Sequence, residues 1–181
     1  MQLHTISPSN KPDIVRLYKE AFPRSERKPF SLMERRERFG HMEILSIEEE
    51  GFLGLAITVL HEDLVLLDYF AISSGARGQG AGGRALSLLK KRYAGRRLFL
   101  EIEFPEESAS NYADRLRRRE FYRRHDITPV GLEIEDMGVH MEVLSYGCPV
   151  SFAEFTTLLE KGLGKAMFRM VRPVLLSQTG E

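Results

Sequence analysis

A strand, a glycine run and a helix in immediate succession fix most of what this chain can fold into. Leu64 to Ile72 is apolar except for Asp68, the mark of a central strand covered on both faces. Gly75 to Gly83 then places five glycines in nine residues, after which Ala85, Leu86, Leu88, Leu89 and Tyr93 recur at helical spacing. Gly95 stops that helix, and Leu98, Leu100, Ile102 and Phe104 alternate with Phe99, Glu101 and Glu103 in a further strand. A helical crossover between neighbouring strands makes them parallel.

Around this unit the sequence predicts mostly antiparallel pairing. Residues 1 to 6 suit a short strand. Ser9 or Asn10 caps a helix carrying Ile14, Leu17, Tyr18, Ala21 and Phe22, which Pro23 ends. The charged loop from Pro23 to Pro29 leads to a second helix, signalled by a capping box of Ser31 and Glu34 and stopped at Gly40. Glu43–Glu48 and Phe52–Leu60 form a hairpin across Gly51. Ser108 or Ser110 opens a helix running to about His125, and Leu132 to Leu144 is two strand pieces around Met137 and Gly138. Ser151 with Glu154 is a second capping box, ahead of Phe152, Phe155, Leu158 and Leu159. The expected fold class is α/β (α+β): a mixed, mainly antiparallel sheet with a central parallel pair and helices on both faces. Residues 1–181 read as one domain, with a core over 1–145 and a helical extension over 146–181.

Composition narrows the function classes. A chain of 181 residues with 43% hydrophobic content closes a core without disulfide or metal support. Twenty-six basic residues balance twenty-six acidic ones, so no global field draws in nucleic acid or an anionic membrane. The single Cys148 suits a reducing compartment, and no leader-like segment or bilayer-length apolar run is visible, so the expectation is a cytoplasmic protein. The histidines show no ligand spacing with one another or with Cys148, and no metal is expected.

Arg77-Gly78-Gln79-Gly80-Ala81-Gly82-Gly83 lies where the buried strand hands over to a helix, a place where backbone amides and the helix N-terminus converge on an anion. A flexible turn with a helix cap explains an isolated loop of this kind equally well. No Gly-Lys-Ser/Thr follows, and the glycines lack dinucleotide-fingerprint spacing, so nucleotide binding is disfavoured. Together with Leu67-Asp68-Tyr69-Phe70-Ala71-Ile72, the loop resembles motif A of the GNAT acetyltransferase superfamily, whose pattern is Gln/Arg-x-x-Gly-x-Gly/Ala. Arg77, Gly80 and Gly82 fill its defining positions.

The resemblance implies a splay between the two parallel strands, a coenzyme A pyrophosphate on the loop from Arg77 through Gly78, Gln79, Gly80, Ala81, Gly82 and Gly83, and a pantetheine arm along Phe70, Ala71 and Ile72. It also implies transfer of an acetyl group from acetyl-CoA to a primary amine by direct attack. The tyrosine of Phe121-Tyr122, after the second parallel strand, matches the family's general acid: a phenol of pKa about 10 stays protonated at neutral pH and can protonate the departing thiolate. Two features depart from the family. Asp126-Ile127 stands where a Gly-aromatic pair is common, and Arg115 where an asparagine is frequent.

An attacking ammonium must lose a proton, which calls for a carboxylate. Alternation puts Glu101 and Glu103 on one face, with Glu101 the first choice of base and Glu103 the second; Asp68, expected to share a face with Phe70 and Ile72, and Glu26 in the charged loop would line the acceptor side. Such a site favours a small cationic acceptor, with a peptide amine also open, as is the choice between monomer and homodimer. Ion pairs with the arginines explain each carboxylate as readily. The alternative function is an acyl-CoA sensor that binds without turnover.

Overall fold

The computed structural model describes residues 1–179. Its order is β1 (Gln2–Thr5), α1 (Lys11–Ala21), α2 (Phe30–Arg38), β2 (Met42–Glu48), β3 (Phe52–His61), β4 (Leu64–Ile72), α3 (Ala81–Arg92), β5 (Arg97–Glu103), α4 (Tyr112–Arg123), β6 (Thr128–Asp136), β7 (Val139–Ser145), α5 (Phe152–Val171) and β8 (Val174–Gln178). The strands form one sheet in the order β1-β2-β3-β4-β5-β7-β6-β8. Every pairing is antiparallel except β4 with β5.

Helices cover both faces, and each face has its own core. Ile14, Met33, Phe155, Leu158 and Leu163 from α1, α2 and α5 pack on Ile57, Leu66, Phe99 and Val143. On the opposite face Leu86, Leu89 and Tyr122 from α3 and α4 pack on Val65, Leu67, Leu98, Leu100 and Ile102. Leucines of β5 at even positions therefore face α3 and α4, and Phe99, Glu101 and Glu103 take the other face by the two-residue period.

Local chemistry explains most of the boundaries. Both the Ser151 hydroxyl and the Glu154 carboxylate cap the start of α5, as the sequence predicts. Met137 and Gly138, both at positive φ, make the two-residue turn joining β6 to β7. The first predicted capping box does not form. Helix α2 begins one residue before Ser31, behind Pro29, with no side-chain cap, and Glu34 pairs instead with Lys11 at 2.6 Å. The predicted helical extension is also only partly helical, because β8 returns to pair with β6 and closes the edge of the sheet. Its side chains are mostly exposed, which left no alternation to read.

Helix α5 is interrupted at Gly164 (φ +77°), and the carbonyls freed there are taken by Arg36, whose Nε donates to Gly162 O at 2.7 Å. A β-carbon on Gly162 would lie 2.2 Å from Val59 Cγ1, so this glycine sets how closely α5 approaches β3. Gly162→Ala is expected to lose about 1–3 kcal/mol through overpacking, read as a lower urea midpoint at unchanged slope.

Candidate active site

The parallel pair is short. Only Leu64, Val65 and Leu66 of β4 pair with β5, opposite Arg97, Leu98 and Phe99. Beyond Leu66 the strands part. The register with β3 shows why: Ile57 faces Tyr69 and Thr58 faces Leu67, so Asp68 is an extra residue, a β-bulge at the point of separation. The bulge reverses the alternation of β4. Leu64 and Leu66 face α1, α2 and α5, and after it Tyr69 and Ala71 do so, while Phe70 faces the α3 side. Asp68 does not join Phe70 and Ile72, as simple alternation predicted; its Oδ1 accepts from Lys28 Nζ at 2.8 Å on the α1–α2 side.

The gap exposes backbone as well as side chains. Ser73 N donates to Leu53 O across to β3, which makes that pair the hydrogen-bonded kind and, two residues back, Ala71 with Leu55 likewise. The polar groups of Phe70 and Ile72 therefore turn away from β3 into the gap, while those of Ala71 are turned toward β3. Arg77 Nε donates to Ile72 O at 2.9 Å and ties the glycine loop to the strand it leaves.

After a single 3₁₀ turn at Ser74–Ala76, the loop places Gly78 and Gly80 at φ of +77° and +73°, with open space on the side where a β-carbon would stand. Gly80 is the cap of α3. The amide of Arg77 reaches Ser74 O, and the next to find a backbone acceptor is that of Arg84, on Gly80 O; among the described residues those of Gly78 through Gly83 have none. A run of free amides at a helix N-terminus is an anion cradle. Gly82 and Gly83 have a second reason to be glycine: β-carbons there would sit 3.1 Å from Phe121 Cζ and 2.5 Å from His125 Cε1, so they let α3 press against α4.

Tyr122 closes the α3/α4 side. It is 7% exposed, and its hydroxyl has no hydrogen-bond partner among the described residues. Burial pushes the phenol up to about 12 against the pull of Arg118, so it is protonated at neutral pH. Asp126 takes the left-handed conformation at φ +58°, which lets the chain turn back so that Ile127 N reaches Tyr122 O at 3.1 Å. The aspartate thus does locally what a glycine does there.

On the other face lie the carboxylates, and they are not equivalent. Glu103 is fully engaged: Asn111 Nδ2 donates to it at 3.3 Å and Arg115 and Arg118 pair with it at 2.9 Å each. Burial raises its pKa, but the Asn111 and Arg118 hydrogen bonds outweigh that and hold it below the usual carboxylate value. Arg115, standing where an asparagine was expected, also donates to Phe104 O at 2.8 Å and so locks the start of the β5–α4 connection. The other arginines of α4 pair with Asp114, Glu103, Glu142 or Glu120.

Glu101, Asp68 and Lys28 meet in a buried cluster together with Asp136, which follows Leu132 and Ile134 on the inward face of β6. The Lys28 and Asp68 side chains are 5% and 2% exposed. Neither Lys28 nor Asp136 stood out in the sequence, although the spacing of Asp136 from Leu132 and Ile134 is a readable signal of burial. Burial raises the carboxyls of both Glu101 and Asp136, that of Asp136 to about 6. The loop carrying Lys28 is clamped over the gap: Tyr18 Oη donates to Lys28 O at 3.0 Å, and Tyr69 Oη accepts from Lys28 N at 3.1 Å and donates to Glu26 O at 2.7 Å. Glu26 itself is exposed at the rim, its carboxyl raised by burial first and then by the charge of Glu103. Among the described residues no group of histidine, cysteine and carboxylate side chains is placed to hold a metal ion, and no helix is long and apolar enough to cross a membrane.

No family model matches the chain. Over 91 residues it is 33% identical to the "Putative acetyltransferase YjbC" of Bacillus subtilis (strain 168), a match taking in 46% of this chain and 45% of that protein, so it spans under half of the relative's length. Among solved structures, a protein of Bacteroides thetaiotaomicron described as a "Putative acetyltransferase from GNAT family" superposes with a TM-score of 0.70 at 20% identity, covering 89% of this chain and 95% of that one. Spermidine N-acetyltransferase from Vibrio cholerae, solved with CoA and spermine, superposes with a TM-score of 0.63 at 10% identity over 80% and 93% of the two chains. With its bulged β4, splayed parallel pair and glycine loop at the head of α3, the chain has the fold of the GNAT acetyltransferases.

Proposed function

We propose that the protein transfers an acetyl group from acetyl-CoA to the primary amine of a small cationic acceptor. The observation that carries this reading is the two-sided gap. Tyr122 packs on the α3/α4 side of the sheet, where the glycine loop with its free amides opens α3, and the carboxylates lie on the other, which supports donor and acceptor approaching from opposite faces.

In this reading the amides of Gly78 to Gly83 and the side chain of Arg77 hold the pyrophosphate, and the backbone edge of Phe70 and Ile72 pairs with the pantetheine arm. That edge also offers its N–H groups to the oxyanion of the tetrahedral intermediate. Ala71 contributes its position rather than its amide. The acceptor nitrogen loses its proton to a buried carboxyl, for which Glu101 is better suited than Glu103, whose lone pairs are already taken by three cationic or amide partners. Asp68 and Glu26 line the acceptor's approach. Tyr122 protonates the departing sulfur. The continuous eight-stranded sheet supports treating the chain as one domain, and the free thiol of Cys148 suits a cytoplasmic setting.

The test is turnover. Acetyl-CoA mixed with the protein and a panel of polyamines, aminoglycosides and amino-terminal peptides should release free thiol only when an accepted amine is present, with an acetylated product seen by mass spectrometry. Calorimetric binding of coenzyme A with no thiol release for any amine would favour the sensor reading instead.

A further inference from the structure

The buried cluster contains more carboxylates than cations, and its oxygens are not all satisfied. Glu101 Oε2, Asp136 Oδ1 and Asp68 Oδ2 are inaccessible to water and meet no N–H or O–H donor among the described residues. Lys28 Nζ supplies one hydrogen bond, to the other oxygen of Asp68. Buried polar atoms in native proteins are nearly always paired. Two buried anions placed against each other gain a hydrogen bond only when one of them carries a proton.

Resting on the transferase reading above, we infer that Asp136 and Glu101 form a carboxyl pair sharing one proton, with Asp136 the ionised member, and that this pair, rather than Glu101 alone, takes the proton from the acceptor amine. The groups facing Asp136 are Lys28 from the α1–α2 loop, Asp68 from the bulge of β4 and Glu101 from β5. Their arrangement decides which member is charged. Glu101, raised by burial and then by the Asp136 charge, is the proton donor within the pair, and Asp136, raised first by burial and drawn back by Lys28, is the acceptor. The shared proton satisfies Glu101 and Asp136 and leaves Asp68 Oδ2 as the oxygen of the cluster still without a donor. Lys28 is a positioning residue: it fixes Asp68 and supplies the one positive charge that keeps the second carboxyl of the pair ionised.

Proton bookkeeping closes. The acceptor nitrogen begins as an ammonium and ends as an amide N–H, so it gives up two protons. One leaves to solvent through the carboxyl pair. Its nitrogen attacks the thioester carbonyl, the C–S bond breaks, and the sulfur takes a proton from Tyr122, which regains it from the nitrogen's second.

Asp136→Asn keeps the shape and removes the charge. The expected result is a fall in kcat of about 100-fold at neutral pH, the size of a general-base contribution. Calorimetric affinity for coenzyme A should stay within about twofold, because the pair faces away from the coenzyme's side of the sheet. The acid limb of the wild-type pH–rate profile, expected near pH 6, should disappear. Asp136→Glu should restore part of the limb, which a merely structural role would not do. Infrared spectroscopy of the intact protein at neutral pH gives a readout independent of turnover: a protonated-carboxyl stretch that is lost in Glu101→Gln and shifted in Asp136→Asn. An unchanged kcat and limb in Asp136→Asn, or no protonated-carboxyl band in the wild type, overturns the pair. A wild-type band with no turnover of any amine instead sinks the transferase reading and leaves the pair standing.

Discussion

Tyr122→Phe should lower kcat by about 10²–10⁴-fold while leaving coenzyme A affinity nearly unchanged, the signature of an interaction made only in the transition state. The substitution removes one oxygen from a side chain that is 7% exposed and packed beside Leu86, Leu89 and Ile127, so the ring stays where it is. No hydrogen bond is broken among the described residues, and the fold should lose under about 1 kcal/mol. The phenol is suited to giving a proton to a thiolate rather than to resting as an anion, since burial pushes it up to about 12. Stopped-flow measurement of thiol release, with calorimetry for coenzyme binding, separates the two effects. A full-speed Tyr122→Phe enzyme would remove the tyrosine from the proton path and leave solvent as the acid.

Much of this architecture is written locally in the chain. The glycine loop, the helix after it and the alternation of β5 are all short-range patterns, and each predicted the element that forms. The same holds for the Ser151 capping box and the turn at Met137 and Gly138. What the sequence concealed depends on contacts between distant residues. Lys28 sits in a loop of charged residues bounded by prolines and reads as solvated, yet it is buried by pairing with Asp68, forty residues on. The bulge at Asp68 leaves no mark in composition, and it changes which face four later side chains occupy. Two capping-box patterns of equal quality stood in the sequence, and only the one whose helix starts at that serine forms, because Pro29 already provides a starting point for α2. β8 has mostly exposed side chains and is held by backbone pairing with β6 and by Gln178 Oε1 accepting from Phe152 N at 3.0 Å, neither of which leaves a residue pattern.

The candidate site's geometry was legible where it copies a backbone motif and obscure where it depends on charge balance. Glu101 and Glu103 are two residues apart on one face of one strand, and sequence alone ranks them only weakly. Their surroundings separate them: arginines and an asparagine surround Glu103, whereas Glu101 is half-buried, with its Oε2 shut off from solvent, beside other carboxyls. The cluster is also the part of the fold with most to lose from a single substitution.

Lys28→Met tests that loss. Methionine fills much of the lysine's volume but leaves Asp68 and the ionised member of the Glu101–Asp136 pair without a cation, in a place where neither can reach water. Removing one partner of a buried ion pair costs about 3–5 kcal/mol, because the remaining charge stays desolvated. The penalty should depend on pH with a definite sign. With the lysine gone, the carboxyls that stay ionised when unfolded are raised in the folded state, so the native protein binds more protons and loses stability as pH climbs through the interval between the unfolded and folded values. The deficit of Lys28→Met should therefore be largest at neutral pH and above, and should shrink as the pH falls toward 4, where the carboxyls are protonated in both states. Urea melts of wild type and variant across that range read the difference directly. Adding Asp68→Asn to Lys28→Met removes the stranded charge and should recover at least about half of the loss, as expected for two residues coupled through one interaction. A Lys28→Met protein as stable as wild type at neutral pH would mean that water reaches Asp68 once the lysine is gone and that the ion pair is not a buried one.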